Sequence, residues 1–407
     1  MKTTYFRTKE ILEEFKISRQ TLYNWINLGK VTEPEKDWRG WRMWTEQHVK
    51  EIEETIRNKE TEQLSLPNMD QKLQINNRRY LGSKYKLLEF INRVVHENCT
   101  SISSVADIFA GTGVVADRFN KEGKNIIVND ILYSNYLAYL TWFDNEKIDI
   151  KKIEKLIKAF NESKPTEDNY VSKNFGGTYF TEYNALKIGY IREEIEKMSE
   201  ELNVREKAIL ITSLIYAMDK VANTVGHYDA FRRKLDTVKE IKLLVPEFND
   251  TLNSNNKIYK MDANELVREI KADLFYIDTP YNSRQYGDAY HLLENIAEWK
   301  KPDLVGVAKK MLDRSHIKSD YCTMKATSAF TDLISNINGK YILVSYNNMA
   351  QKGVGRSNAK ISSEEIVDIL ESKGTVKIFE TNFQAYTTGK TNIDNHKEIL
   401  YLCEVSR

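Results

Sequence analysis

The chain has 407 residues, of which 41% are hydrophobic and 29% charged, with 6 prolines. Lys and Arg number 60 against 59 Asp and Glu, a net charge of +1, so no bulk field draws this protein to nucleic acid or membrane. A nucleic-acid partner must be met by a local basic patch. The length exceeds one ordinary core at about 100–200 residues per domain and implies more than one domain.

Cys99, Cys322 and Cys403 lie far apart, without a CxxC pair or a histidine at metal spacing, and read as reduced thiols with no metal centre. The opening "MKTTYFRTKE" lacks the apolar run of a signal peptide, and no apolar stretch of about 18 residues exists to span a bilayer. A soluble, cytoplasmic chain is the expectation.

Residues 1–58 read as a small DNA-binding module. Ile11, Leu12 and Phe15 form the apolar face of one short helix, and Leu22, Trp25 and Ile26 that of a second, with Ser18 as its cap and Gly29 as its stop. Arg19, Gln20, Tyr23 and Asn24 then sit near the N-terminal end of the second helix, where a recognition helix meets the major groove. "WRGWRMWTEQHVKEI" resembles the wing and following helix of MerR-like regulators, which implies phosphate contacts for Arg39 and Arg42. A polar stretch, residues 59–75, reads as a linker.

From residue 76 the pattern is α/β. "SSVADIFAGTG" and "NIIVNDI" read as strands that end on Gly or Asp and lead into helices, as in a parallel doubly wound sheet. Residues 150–245 turn helical and charged, which reads as an inserted subdomain. Strands return at "KADLFYID" and "KYILVSYNN", followed by a helix with a Ser362/Glu365 capping box and Gly374 as its stop. "TVKIFE" and "EILYLCEV" read as a terminal antiparallel hairpin.

Five segments carry the chemistry. In "DIFAGTGVVA", from Asp107 to Ala116, Gly111 and Gly113 follow a strand, where the backbone must turn tightly and let a ligand approach. Asp130 ends the next strand about twenty residues later, in place for ribose hydroxyls. Asp262, in "MDANEL", stands in the equivalent place to accept from an adenine amine. The glycines depart from G-x-G-x-x-G and no phosphate-binding G-x-x-x-x-G-K-[ST] loop exists, so the ligand carries adenosine but few phosphates; S-adenosylmethionine fits. Lys84, at the start of a helix after "YLGS", is misplaced against the helix dipole unless it meets a carboxylate, and methionine has one.

"FYIDTPYNSRQY" is the fifth segment. Methylating an exocyclic amine requires localising a lone pair that the ring delocalises. The Asp278 carboxylate and the main-chain carbonyl of Thr279 are two acceptors for the amine hydrogens, Pro280 restrains that carbonyl, and Tyr281 offers a stacking face to an extruded base. Arg284 and Gln285 follow, where they could hold a phosphate or fill the gap left by the base. Arg232, Arg233 and Lys234 form a candidate backbone patch. His291, at a helix start, reads as a buried, hydrogen-bonded histidine.

The order "YLGSK", "DIFAGTG", "VND", "MDA", "IDTPY" resembles the adenine-specific DNA methyltransferases of the Dam-like alpha group over residues 76–407. "YFTEYNA", "ANTVGHYDAF", "YNSRQYGDAYHLLENIAEW" and "VSYNN" are similar to segments of the branch found in restriction–modification systems. The resemblance implies a Rossmann-like methyltransferase sheet with a target-recognition insert. Its cofactor contacts carry over to Tyr80, Lys84, Asp107, Phe109, Ala110, Gly111, Thr112, Gly113, Asp130, Asp262 and Ala263. Its catalytic motif carries over to Asp278, Thr279, Pro280 and Tyr281. Double-stranded DNA and a cognate restriction endonuclease are the implied partners. Thr279 replaces the family's first proline and puts the rate in doubt, not the reaction type. A DNA-binding regulator with a weak methyltransferase domain, and an N4-cytosine methyltransferase, stay open as alternatives.

Overall fold

A computed structural model of the chain describes residues 5–15, 17, 19–27, 31–35, 37–64, 72–235, 239–347, 359–382 and 397–406, with the side chains of 19, 20, 24, 27, 57–64 and 382 excepted. The chain divides into two units, 1–71 and 72–407. Ser18, Gly29 and the segment 65–71 of the expected linker lie outside the described residues.

The larger unit is built on a seven-stranded sheet. β1 (Ser104–Asp107), β2 (Asn125–Asn129), β3 (Lys257–Tyr259) and β4 (Leu274–Ile277) are followed by a two-stranded ribbon of β5 (Leu304–Val305) and β6 (Lys310–Met311), then by β7 (Tyr341–Asn347), β8 (Gly374–Asn382) and β9 (Lys397–Val405). The main sheet runs β3-β2-β1-β4-β7-β9-β8. All neighbours are parallel up to β7, and β9 is antiparallel to both β7 and β8. β4 is buried along its length, as a central parallel strand covered on both faces should be. Its side chains alternate: Leu274 and Tyr276 join one core, Phe275 and Ile277 the other. The chain winds outward from β1 through β2 to β3 and then returns to the other side of β1 with β4. That reversal leaves a crevice at the carboxyl ends of β1 and β4, where such sheets bind ligands.

The stretch 150–245 is not a separate subdomain. Helices Ile150–Glu162, Tyr170–Phe175, Glu182–Lys197 and Val204–Val221 occupy its first part, and among the described residues no further α-helix lies between Val221 and β3. Ile157, Ile188, Ile209 and Leu214 share one continuous core with Val105 and Leu274 of the sheet. The helix Val204–Val221 is buried along most of its length, and its Tyr216 ring packs 5.4 Å from that of Trp142.

The capping box of the helix Ser363–Glu371 has the expected residues: Ser362 Oγ accepts from the Glu365 N–H, and the Glu365 carboxylate accepts from the Ser362 N–H. Gly374 does not stop that helix, which is capped by Ser372. It opens β8 instead, where a Cβ would collide with the Glu404 carbonyl across the ladder.

In the smaller unit, helices Thr8–Glu14, Arg19–Asn27 and Glu46–Leu64 enclose Ile11, Leu22, Trp25, Val31, Trp44 and Ile52, a core of its own. Trp44 pairs with Phe6 in an antiparallel bridge and donates its indole N–H to Thr8 Oγ1 at 3.0 Å. The turn at Asp37–Gly40 is closed by the Asp37 carboxylate, which accepts from the N–H groups of Arg39 and Trp41. The last helix runs to Leu64, so part of the expected linker is helical.

Candidate active site

A cleft opens at the carboxyl ends of β1, β2 and β4. Its walls include Tyr80, Lys84, Asp107, Phe109 to Thr112, Asp130, Asp262, Ala263, Asp278 and Pro280. Gly113 lies behind this wall as the N-cap of the helix Val114–Lys121, at φ +77°, with Ile75 and Tyr139 close against the position a Cβ would take. Gly111 has φ +54°, and a Cβ there would touch the Tyr80 ring at 3.0 Å. Glycine is thus required at both positions by conformation and by space.

The strand-terminal acids are partly engaged with the backbone. Asp130 accepts from Gly111 N–H at 3.0 Å through one oxygen and from Leu132 N–H at 2.8 Å through the other. Burial nevertheless pushes its carboxyl up to about 6. Asp262 caps the short helix Ala263–Leu266 through Oδ1. Asp107 is buried under the glycine turn, and its carboxyl is pushed well up, first by burial and then by the charge of Asp278. Asn129, read in the sequence only as the neighbour of Asp130, ties the loops together. Its amide donates to the carbonyls of Ile108 and Met261 and accepts from Met261 N–H.

Opposite the glycine turn, Lys84 Nζ lies 2.8 Å from Asp278 Oδ1 and 3.3 Å from Glu398 Oε1. Burial works against the ammonium, yet the two carboxylates outweigh it and hold Lys84 well above the usual lysine range. Asp278 is pushed up to about 6, chiefly by burial; Lys84 draws it down and Glu398 raises it. The structure therefore gives Lys84 two protein carboxylates as partners, where the sequence suggested the methionine carboxylate. Glu398 was missed. Its only trace in the sequence is an acid in phase with Leu400 and Leu402, two buried residues of the same strand.

The loop after Asp278 is braced from β7. The Tyr281 ring meets the Tyr346 ring edge-on at 5.9 Å, its hydroxyl is hydrogen-bonded by the Asn347 side chain, and its carbonyl accepts from Lys360 N–H. Asn348, the last residue of "VSYNN", lies outside the described residues. Tyr281 and Thr279 are not part of the cleft wall, whereas Pro280 is. Thr279 is buried, and its hydroxyl has no hydrogen-bond partner among the described residues.

Several residues read from sequence as DNA contacts are already occupied. The Gln285 amide makes two hydrogen bonds to the backbone of Ser319, at 3.0 and 2.8 Å, and so clasps the segment that carries Tyr321. Tyr321 packs edge-on against Phe109 at 5.1 Å in the cleft wall. Arg42 is bonded to Glu33 at 2.8 Å and lies over the Tyr23 ring at 4.5 Å, its side chain 23% exposed. Arg39 is exposed and stacks on exposed Trp38. Arg232, Arg233 and Arg284 are also exposed. The side chains of Arg19, Gln20 and Asn24 lie outside the described residues. His291 is buried, with Nε2 donating to the Tyr228 carbonyl at 2.9 Å, and burial brings its ring down to about 4, so it is neutral.

A mostly parallel sheet with one antiparallel strand near its edge, a glycine turn after β1 and acids at the strand ends define the Rossmann-like class of AdoMet-dependent methyltransferases. The chain belongs to the D12 class of N6 adenine-specific DNA methyltransferases, whose family model matches residues 80–354. It is 38% identical over 347 residues to modification methylase StsI of Streptococcus sanguinis, covering 80% of this chain and 51% of that protein. Modification methylase LlaI of Lactococcus lactis subsp. lactis is 32% identical over 77% of this chain and 52% of its own length. Type II methyltransferase M.NlaIII of Neisseria lactamica is 31% identical over 78% of this chain and 95% of that protein. The chain thus spans about half the length of the first two relatives and nearly all of the third.

The unpaired Thr279 hydroxyl gives a direct test. Replacing it with the near-isosteric valine removes a buried polar group that gains nothing in return, so Thr279→Val should stabilise the protein by about 1–3 kcal/mol. The midpoint of urea unfolding reads this out, and a decrease of similar size would mean that the hydroxyl has a partner.

Proposed function

We propose that the chain transfers a methyl group from S-adenosylmethionine to N6 of an adenine extruded from duplex DNA, as the cytoplasmic modification enzyme of a restriction–modification pair. The observation that carries this reading is the placement of the Asp278 carboxylate in the same cleft as the glycine turn at 111–113. The cleft residues fit the cofactor. Asp130 and Asp262 each keep acceptor capacity for ribose and adenine, and Gly111 leaves room for close approach. When bound, the cofactor supplies an electrophilic methyl group.

The chain's own residues do the remaining work. The Asp278 carboxylate and the Thr279 carbonyl accept from the amine hydrogens of the target base, which favours a localised lone pair on nitrogen. Tyr281, held by Tyr346 and Asn347, offers its face to the extruded base, a contact of about 1–3 kcal/mol in single-strand binders. The carbonyl of residue 279 needs no proline ring to act as an acceptor, so threonine supports the reaction at a reduced rate. Arg232, Arg233 and Arg284 serve the phosphates. The N-terminal unit, through Arg19, Gln20, Tyr23, Asn24 and Arg39, reads part of the site.

Incubating the protein with labelled AdoMet and plasmid, then digesting the product to nucleosides, tests the reaction. N6-methyladenine is expected; N4-methylcytosine, or no transfer beside tight sequence-specific binding, would overturn the reading. Asp278→Ala should lower kcat by more than about a hundredfold. Cofactor binding should persist, because Glu398 still partners Lys84. In the native protein kcat/KM should fall as pH drops through about 6, where Asp278 takes up a proton and can no longer accept from the amine. Removing residues 1–71, which have their own core, should raise KM for DNA more than it lowers kcat; an unchanged KM would remove that unit from substrate reading.

A further inference from the structure

Among the described residues, Glu398 is the one carboxylate of the catalytic edge that no motif in the sequence assigns. It is the second residue of β9, opposite Asn347 of β7. Because β9 runs antiparallel to β7, its first residues lie at the end of the sheet where β4 and β7 finish, beside Asp278. Its side chain is 5% exposed, and its Oε1 accepts from Ser345 Oγ at 2.9 Å as well as facing Lys84 at 3.3 Å. Lys84 is thus shared between two carboxylates from distant parts of the chain, all three in a largely dry pocket.

Burying a carboxylate costs several kcal/mol unless a partner compensates, and one ammonium cannot fully serve two. A sheet that needed only a filled position beside Leu400 would have no use for this charge. Its consequence falls on Asp278. With Glu398 present, the Lys84 ammonium divides its hydrogen bonds and leaves part of the Asp278 carboxylate free to accept from an amine. Without it, Lys84 would close on Asp278 alone and occupy the acceptor.

We propose that Glu398 is a positioning residue for methyl transfer: as a second counter-charge to Lys84 it keeps Asp278 available to the target amine. The inference rests on the reading of Asp278 as amine acceptor. Among the described residues, the charged and titratable groups facing Asp278 are Lys84, Glu398 from β9, Asp107 from β1, Tyr276 from β4, Tyr281 on its own loop and Tyr286 on the following helix. Among them Glu398 raises the Asp278 carboxyl and Lys84 lowers it. Removing the Glu398 charge leaves Lys84 less opposed, so Asp278 should ionise at lower pH while accepting less well.

Glu398→Gln keeps the shape and the acceptor for Ser345 while removing the charge. Relative to the native enzyme, plateau kcat should fall about tenfold. The acid limb of kcat/KM should move to lower pH, and the Kd for AdoMet should change less than kcat. Ser345→Ala, which loosens Glu398 without touching Lys84 or Asp278, should shift kcat and the limb in the same direction by less, and serves if the first variant does not fold. A native-like kcat with an unmoved limb in either folded variant would overturn the proposal, as would a fall in kcat without any movement of the limb, which is what mere loss of packing would give. Native enzyme and Asp278→Ala are run alongside. Transfer by the native enzyme that Asp278→Ala abolishes keeps the acceptor reading standing even if Glu398 fails. No transfer by the native enzyme overturns both.

Discussion

The pairing of Lys84 with Asp278 constrains most of what surrounds it. An ammonium from the turn before the first helix of the larger unit meets a carboxylate from the loop after β4, so two segments far apart in the chain must be brought to one edge. Removing one partner of a buried pair typically costs about 3–5 kcal/mol, because the other charge is left stranded. The parallel sheet delivers Asp278 to its carboxyl edge, and the stacking of Tyr80 on Tyr290, with centroids 4.6 Å apart and rings nearly parallel, holds the turn that carries Lys84. Tyr290 strengthens that hold by accepting the Leu81 N–H through its hydroxyl at 2.7 Å.

The residues around this edge are doubly employed. Asp130 fixes the glycine turn with the oxygens proposed for ribose, and Asp262 caps a helix with one of the oxygens available to adenine. Such a site is largely formed before a ligand arrives, since its acids are already oriented by backbone N–H groups. The clasp between Gln285 and Ser319 extends the same economy: the loop after Asp278 and the segment bearing Tyr321 are joined by two hydrogen bonds.

Much of this arrangement was legible in the sequence where residue type has local meaning. Glycines at positive φ, an acid at the end of an apolar run, a capping box and an alternating terminal hairpin each report their own neighbourhood, and the parallel sheet with its antiparallel end followed from their order. What failed was nonlocal. The charged stretch "NVREKAIL" read as part of a detached helical insert, yet Arg205 is wholly buried, bonded to the Asp250 carboxylate and to main-chain carbonyls, inside the core shared with the sheet. Gln285 read as a DNA contact because its hydrogen-bond partner in the fold lies 34 residues away. Glu398 read as the start of an ordinary strand because only the strand's reversed direction brings it to Lys84.

That reversed strand also sets an order of events during synthesis. β9 fills the gap between β7 and β8, so neither of those strands has its neighbour on that side until residues 397–405 have left the ribosome. The glycine turn, Lys84 and Asp278 are all translated earlier, but they cannot reach their final charge balance while Glu398 is still to come. A growing chain therefore holds the cofactor residues well before it holds a finished catalytic edge, and competence arrives with the closing segment of the sheet.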